Sequence, residues 1–288
     1  MQTQSLSRRN SSPRSPSVKF LYNCRVPTTD WLWIDQVLHK SNDEMGVLKG
    51  HLERKHIVVK FGQPSLMRKE YNASELLKTI PNFMRYYCTF ACDETATDLF
   101  NRNYATHPRI CSEPGDRLGF AMMPFYHMRS INNFQWSLTN LPVLKNALKQ
   151  VAGAVLNAYL QFGFCHNDLH LDNILLRQTK KAHLSYERGG ELSLKGLYCI
   201  IMDFEKATFD TEKGEPRRAY ETIRKVMYLA STMDGNSDLV LDPNDSRVVR
   251  LASTNAPITD ASVREVWAAI DGMQLRYEKS KVPRMPVW

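Results

Sequence analysis

The sequence lacks any apolar run long enough to cross a bilayer. Its longest mostly apolar stretch, Val151 to Phe164, is interrupted by Asn157 and Gln161. A transmembrane helix needs about 20 predominantly apolar residues. A secretory signal is missing too. We therefore expect a soluble protein of the cytoplasm or nucleus, with no membrane partner.

Paired metal-binding cysteines are also missing. The six cysteines are scattered, and among the closely spaced ones Cys88 and Cys92 have no second pair or histidine cluster to complete a zinc site. Buried free thiols in a reducing compartment are the expectation.

Residues 1–18 contain no acidic side chain and almost no large apolar one. A segment rich in Ser, Arg and Pro cannot bury enough surface to offset the entropy lost on ordering, so we predict a disordered basic tail. A transit peptide is the alternative, although the tail has no apolar face. The tail supplies part of the net charge of +8. The mildly basic remainder fits nucleotide phosphates and predicts no specific nucleic acid partner.

What the sequence does contain is enough apolar material for a substantial core. It has 288 residues, 43% of them hydrophobic and 10% aromatic. This length allows one two-lobed domain or two small ones.

Two segments carry the chemistry: HNDLHLDNILL, which begins at His166, and IIMDFE, which begins at Ile200. An Asp that follows a strand usually belongs to a turn, so Asp168 or Asp203 alone would indicate little. Together with Asn173 they form a set that can orient a hydroxyl and hold Mg²⁺.

These segments resemble the catalytic and metal-binding loops of the protein-kinase-like superfamily. The resemblance implies an α+β, two-lobed protein-kinase-like fold, with a small β-rich N-lobe and a mainly helical C-lobe. Residues 19–126 would form the N-lobe and hinge, and residues 127–288 the C-lobe. It also implies that Asp168 accepts or orients the hydroxyl proton, and that Asn173 and Asp203 bind Mg²⁺ for transfer from ATP.

Three short β-like segments precede this site: WLWIDQVL, GVLKGHL and HIVVKF. In the third, strand alternation places Val58 and Lys60 on one face and Ile57 and Val59 on the other. VVKF resembles the third strand of the kinase N-lobe. The resemblance implies that Lys60 holds the α/β-phosphates and that Val58 covers adenine.

A helix is predicted from Ser65 to Ile80, between two prolines. A Glu on its inward face needs a cation, and Lys60 is available. Glu70 therefore resembles the kinase glutamate that fixes this lysine. Glu75 is the alternative, and either could be a solvated charge.

A glycine-rich phosphate loop is incomplete, because HKSNDEMGVLKG contains no GxGxxG. We align Gly46 with the last glycine of that pattern and Leu48 with the apolar contact that follows. Asp43 and Glu44 would lie near phosphate, which is unfavourable unless they point away.

NFMRYYCTF is predicted to be a further strand. Gly119 to Tyr126 is predicted to be a buried strand that leads into a hinge, with Met122 to Phe125 beside adenine and Met123 and Phe125 as the contact residues. Leu175 would form the floor under the base.

The clearest predicted helix runs from Leu141 to Phe162, with Asn140 as its cap and Gly163 as its stop. Two more helices are predicted, ETIRKVMYLASTM and the segment from Ala261 to Tyr277.

Several positions depart from the common kinase pattern. Asn167 stands where many kinases have an arginine that binds an activation-loop phosphate, so activation by phosphorylation is not expected. His170 replaces the usual lysine and could still donate to the γ-phosphate. Glu205 replaces glycine and removes backbone freedom. His166 is expected to bridge the loop to the backbone near Asp203.

Three functions remain open. The first is a divergent serine/threonine protein kinase that resembles haspin and the compact kinases of large DNA viruses, acting as a monomer on a protein substrate; a viral source would place it in the virion or host cell. The second is a small-molecule kinase similar to choline and aminoglycoside kinases, but the stretch between Phe125 and His166 leaves little room for their helical insertion. The third is a pseudokinase that acts as a binding module.

Overall fold

The computed structural model describes residues 32–42, 45–52, 55–92, 119–126, 129–134, 138–210, 215–231, 240–241, 246–273 and 275–276. The predicted disordered tail, Asp43 and Glu44 lie outside these residues.

The described residues combine an antiparallel sheet in the N-terminal part with a mainly helical C-terminal part. The strands are β1 Leu32–Asn42, β2 Met45–Leu52, β3 Lys55–Gly62, β4 Cys88–Ala91, β5 Gly119–Pro124, β6 Arg129–Ser130, β7 Phe164–Cys165, β8 Ile174–Gln178, β9 His183–Tyr186, β10 Gly190–Ser193, β11 Leu197–Ile201, β12 Thr208–Phe209, β13 Val240–Leu241 and β14 Leu275–Arg276. The α-helices are α1 Pro64–Leu77, α2 Leu141–Phe162, α3 Arg217–Ser231, α4 Ser246–Ser253 and α5 Asp260–Gly272. None of these described helices is long and apolar enough to cross a membrane.

The N-terminal sheet has the strand order β1-β2-β3-β5-β4. Ile57, Val59 and Phe61 of β3 are completely buried, and the intervening Val58 and Lys60 are half-buried on the other face. This is the alternation that the sequence predicts, because successive side chains of a strand point to opposite faces. The face that carries Lys60 is therefore free to line a cavity.

The predicted strand NFMRYYCTF is shorter than expected, since only Cys88–Ala91 at its end pairs in the sheet. The preceding segment instead crosses to β11: Ile201 N–H donates to Asn82 O at 2.6 Å, and Met84 N–H donates to Ile201 O at 2.8 Å. Asn82 adopts a φ of 74°, and its buried side-chain amide donates to Gln150 Oε1 at 3.0 Å. These bonds satisfy the backbone without a longer strand.

Helix α2 has the predicted bounds and is buried along most of its length. Gly163 ends it with a φ of 62°, and a Cβ there would lie 1.8 Å from Asp210 O, so only glycine fits. Asn140 stands at the N-cap, but its side chain makes no capping hydrogen bond. A proline in the first turn contributes to the start instead.

Other predicted helix ends need correction. Helix α1 ends at Leu77, before Ile80. Helix α5 starts at Asp260, one residue before the predicted Ala261, with a capping box between Thr259 and Ser262. It stops at Gly272, and the following Leu275–Arg276 pairs with β13.

The prediction of buried thiols outside any disulfide is confirmed for Cys88, Cys165 and Cys199. It is wrong for Cys92, which is disulfide-bonded. A disulfide is typical of oxidising compartments and therefore does not support the reducing compartment expected from the sequence.

Candidate active site

A cavity of about 430 Å³ lies against the Lys60 face of the sheet. Its lining comes from both parts of the chain: β1, β2, β3 and β5 on one side, and the residues around β8 and β11 on the other. The lining residues are Leu38, His39, Met45, Gly46, Val47, Val58, Lys60, Met84, Tyr86, Met123, Pro124, Phe125, Tyr126, Leu175, Met202, Asp203 and Glu205. Apolar side chains dominate, with charged groups gathered around Lys60.

Lys60 is the centre of the charged group. Its ammonium pairs with Glu70, lies 2.7 Å from Asp203 Oδ1, and lies 3.8 Å from Glu205 Oε2. Burial alone would lower the pKa of Lys60, but the carboxylates of Glu70 and Asp203 outweigh burial and raise that pKa above its usual range. Lys60 is therefore a permanent cation at the charged end of the cavity.

Glu70 lies on the inward face of α1 and is completely buried. Its two carboxylate oxygens bind Lys60 and the hydroxyl of Tyr86. Burial raises the pKa of Glu70, an effect that the charge of Lys60 opposes. Glu75, the alternative partner, pairs instead with Lys78 at 3.0 Å on the surface.

Asp203 follows β11 and has a φ of 68°. A non-glycine residue in this left-handed region is strained, and such strain clusters at functional sites. Asn173 Nδ2 lies 3.4 Å from Asp203 Oδ2, and Asn173 is buried beneath it. An amide and a carboxylate side by side offer the oxygen ligands that Mg²⁺ prefers, so this pair fits a metal ion.

Phe204 holds Asp203 in place. The Phe204 side chain is completely buried. Its ring centroid lies 6.0 Å from those of Phe83 and His166 and 6.3 Å from that of Phe164. This aromatic cluster joins the loop that follows β11 to the loop that carries Asp168.

His166 also connects the two loops, as the sequence predicts. Its Nε2–H donates to Met202 O at 2.9 Å, which fixes the tautomer with the proton on Nε2. Its Nδ1 is buried without a hydrogen-bond partner among the described residues. Burial lowers the pKa of His166, so the ring is neutral and structural.

Asp168 lies on the open side of the site, with 33% of its side chain exposed. Lys206 Nζ donates to its Oδ2 at 2.9 Å. This hydrogen bond is the largest cause of the lowered pKa of the Asp168 carboxyl. Asp168 is therefore ionised and able to accept a proton or orient a hydroxyl.

His170 does not line the cavity, and neither do Asp168 and Asn173. The expected role of His170 at the γ-phosphate stays a prediction. Its Nδ1 lies 3.8 Å from Asp172 Oδ2, and the side chain is 39% exposed. The backbone turn Leu171–Asn173 begins at His170 and directs Asn173 inward. The cation that donates a hydrogen bond to the Asp168 side chain is Lys206.

Leu48, which we aligned with the apolar contact after the phosphate loop, does not face the cavity. Leu48 is completely buried in the core on the far face of the sheet, with Val59 as its strand partner. Val47, opposite Lys60, lines the cavity instead. Gly46 does line it, and a Cβ on Gly46 would lie 2.6 Å from the Phe61 ring.

Four of the residues expected beside adenine line the cavity: Val58, Met123, Phe125 and Leu175. Met122, also expected there, is instead completely buried in the core with Val59 and Leu48. The backbone N–H of Phe125 donates to His56 O at 3.1 Å. That N–H is therefore already used, and the Phe125 ring contacts Lys49, whose Nζ lies 4.8 Å from the ring centroid.

Among the site residues that sequence reasoning missed, three contact or extend the charged groups. The hydroxyl of Tyr86 binds Glu70, and Lys206 binds Asp168. Glu205 adds a third carboxylate to those of Glu70 and Asp203, and one oxygen of each carboxylate lies within 4.8 Å of the other two. Only Glu205 had a visible signal, because an acid adjacent to the Asp203–Phe204 pair suits a cation site.

No family model matches the chain, and neither does any curated protein. Among solved structures the chain is similar to "WaaP in complex with acyl carrier protein", with 12% sequence identity over 88% of this chain and 90% of that chain, and a TM-score of 0.46. A likeness at this identity and TM-score supports no conclusion about activity, which has to be argued from the site itself.

Proposed function

We propose that the protein is an ATP- and Mg²⁺-dependent phosphotransferase of the protein-kinase-like superfamily, with a two-lobed fold. One observation carries the proposal: Lys60 binds both Glu70 and Asp203 at one end of the cavity, and Asn173 lies 3.4 Å from Asp203. Transfer of a phosphoryl group needs a positioned cation, metal ligands and a nearby acid. Asp168 supplies the acid.

ATP fits the distribution of apolar and charged residues in the cavity. Val58 and Leu175 would contact the two faces of adenine. Lys60, whose side chain is positioned by its ion pair with Glu70, would bind phosphate oxygens. The lining near Phe125 is apolar and lies away from Lys60 in the register of β3 and β5. A base at one end and phosphates at the other match this polarity.

Asn173 and Asp203 would hold Mg²⁺, and Glu205 is placed to add a ligand. When bound, Mg²⁺ neutralises the charge that develops on the phosphoryl oxygens. The aromatic cluster around Phe204 keeps the carboxylate of Asp203 in one position, so little reorganisation is needed for metal binding.

Asp168 would orient the acceptor hydroxyl and accept its proton. Its carboxylate is one-third exposed on the outer side of the site, so a macromolecule can approach it. This supports a serine or threonine side chain of a protein as the acceptor. The described residues between Phe125 and His166 contain one α-helix, α2, and no helical insertion that could house a small acceptor.

The test is transfer from γ-labelled ATP by the purified protein in the presence of Mg²⁺. A protein mixture, choline and aminoglycosides serve as separate acceptors, and Asp203→Asn as the inactive control. Label on protein hydroxyls, absent with Asp203→Asn, is the expected result. Label on a small alcohol alone would favour the small-molecule kinase. ATP binding without any transfer would indicate a pseudokinase.

A further inference from the structure

A second cavity, of about 270 Å³, adjoins the loop that carries Asp168. Its lining consists of Asn167, Leu169, Arg218, Glu221, Thr222 and Lys225. Asn167 and Leu169 flank Asp168 in sequence, so the cavity adjoins the backbone segment that carries the candidate catalytic carboxylate. The residues of α3 recur at intervals of three and four and therefore share one helix face.

The charge of the cavity is positive. Arg218 and Lys225 are cations, and Glu221 is the acid among the lining residues. Glu221 is already engaged, because Arg217 Nε donates to its Oε1 at 2.7 Å. The positive charge also reaches Asp168: its pKa is lowered first by the hydrogen bond from Lys206, and further by the charge of Lys225.

The walls of the cavity are held in place before any ligand arrives. The Asn167 amide donates at 3.0 Å to both Lys206 O and Thr208 Oγ1. On the other wall, Tyr220 and Ile223 bury the opposite face of α3 in the core. A preformed site loses little conformational entropy on binding.

We propose that this cavity receives an anionic side chain of the acceptor, so that the protein phosphorylates hydroxyls in acidic peptide segments. The anion can be a carboxylate or an existing phosphate group, both of which Arg218 and Lys225 can bind. This inference rests on the proposed function and specifies its substrate class.

The experiment uses serine peptides in a neutral background, with one Glu, one phosphoserine or one Lys placed at successive positions on either side of the acceptor. We expect Glu or phosphoserine at one or more positions to raise kcat/KM about tenfold over Lys. A larger effect of phosphoserine than of Glu would identify phosphate as the preferred anion.

Lys225→Glu should reverse the preference toward the Lys peptide, mainly through KM, and Arg218→Gln should weaken the preference for acids. Lys181→Glu is the matched control, because Lys181 is exposed and lines neither cavity. Circular dichroism checks that each variant is folded. The ratio of the acidic to the basic peptide is measured within each variant, so a general loss of activity does not mimic the result.

Equal kcat/KM for the acidic and basic peptides in the unchanged protein would overturn the inference and leave the proposed function standing. The same conclusion follows if Lys225→Glu keeps the acidic preference. Absence of transfer to every peptide and to the protein mixture would overturn both proposals.

Discussion

Lys206 Nζ donates a hydrogen bond to Asp168 Oδ2 at 2.9 Å. The lysine follows Asp203 closely in sequence, so one short segment supplies both a candidate metal ligand and the cation beside the candidate base.

Replacing Lys206 should change the pH dependence of transfer. The hydrogen bond lowers the pKa of Asp168, so the carboxylate stays ionised to lower pH than usual. In Lys206→Ala that pKa rises, and the acid limb of the kcat/KM profile moves to higher pH. Lys195→Ala, at an exposed position, is the control. An unmoved acid limb in Lys206→Ala would show that Asp168 does not set it.

Glu70→Gln and Glu75→Gln should differ strongly. Glu70 is buried between Lys60 and Tyr86, and loss of a charged hydrogen bond costs roughly 1.5–3 kcal/mol, or about tenfold or more in kcat/KM for ATP. Glu75 is a surface partner of Lys78 and should be nearly neutral. Steady-state kinetics at varied ATP distinguishes them, and equal losses would contradict the assignment of Glu70.

Asp203→Asn should abolish most transfer while the fold persists. The lost carboxylate acts on charge in the transition state, so a decrease on the order of 10²–10³-fold is expected. Asp271→Asn, on the surface, should be unaffected. Titration of each protein with Mg²⁺ at fixed ATP provides the second readout, and an unchanged Mg²⁺ requirement in Asp203→Asn would count against Asp203 as a ligand.

Stability should fall in acid because of His166. Burial lowers its pKa below the ordinary value of 6.5, so the unfolded chain binds the proton more readily. The stabilising contribution is complete above pH 6.5 and is lost as the pH falls through the lower, folded-state pKa. Urea unfolding at pH 7.5 and pH 5 should show this loss, with a smaller loss in His166→Asn. His183→Asn, at an exposed site, should behave like the unchanged protein.

Activity should not depend on phosphorylation of Thr208. Its hydroxyl accepts a hydrogen bond from Asn167, which also donates to Lys206 O, so the segment is tied down without a phosphate. Phosphatase treatment should leave transfer unchanged, as should Thr208→Ala combined with Thr211→Ala, although Thr211 lies outside the described residues. A large loss in a folded protein would reveal an activating phosphate contact.

Local patterns predicted much of the fold and several contacts. Strand alternation in β3 places Lys60 on the face away from the core, and the helical periodicity of α1 turns Glu70 inward. The ion pair between Lys60 and Glu70 therefore follows from these two periodicities. Helix α2 was predicted to the residue because a helix-breaking glycine follows a long apolar repeat.

Contacts that depend on register were beyond the sequence. The sequence predicted that Leu48 faces the cavity, whereas Val47 does. This difference depends on the register between β2 and β3, because a shift of one residue reverses which side chains of a strand face the cavity. The bond between Lys206 and Asp168 depends on how the segment after Asp203 folds back, and no periodicity encodes that path. The segment that starts at Asn82 is predicted to be a strand because its Phe and Tyr residues favour strands. Hydrogen bonds to Ile201 determine its path instead.

The crossing at Asn82 has a mechanical consequence for the site. Its hydrogen bonds end on Ile201, just before Asp203, and the same crossing segment continues into Met84 and Tyr86, which line the cavity. These backbone hydrogen bonds thus join the back wall of the cavity to the strand that leads into Asp203. Movement at the other side of the cavity would leave the spacing between Tyr86 and Asp203 unchanged, so the alignment of these two residues would not depend on that movement.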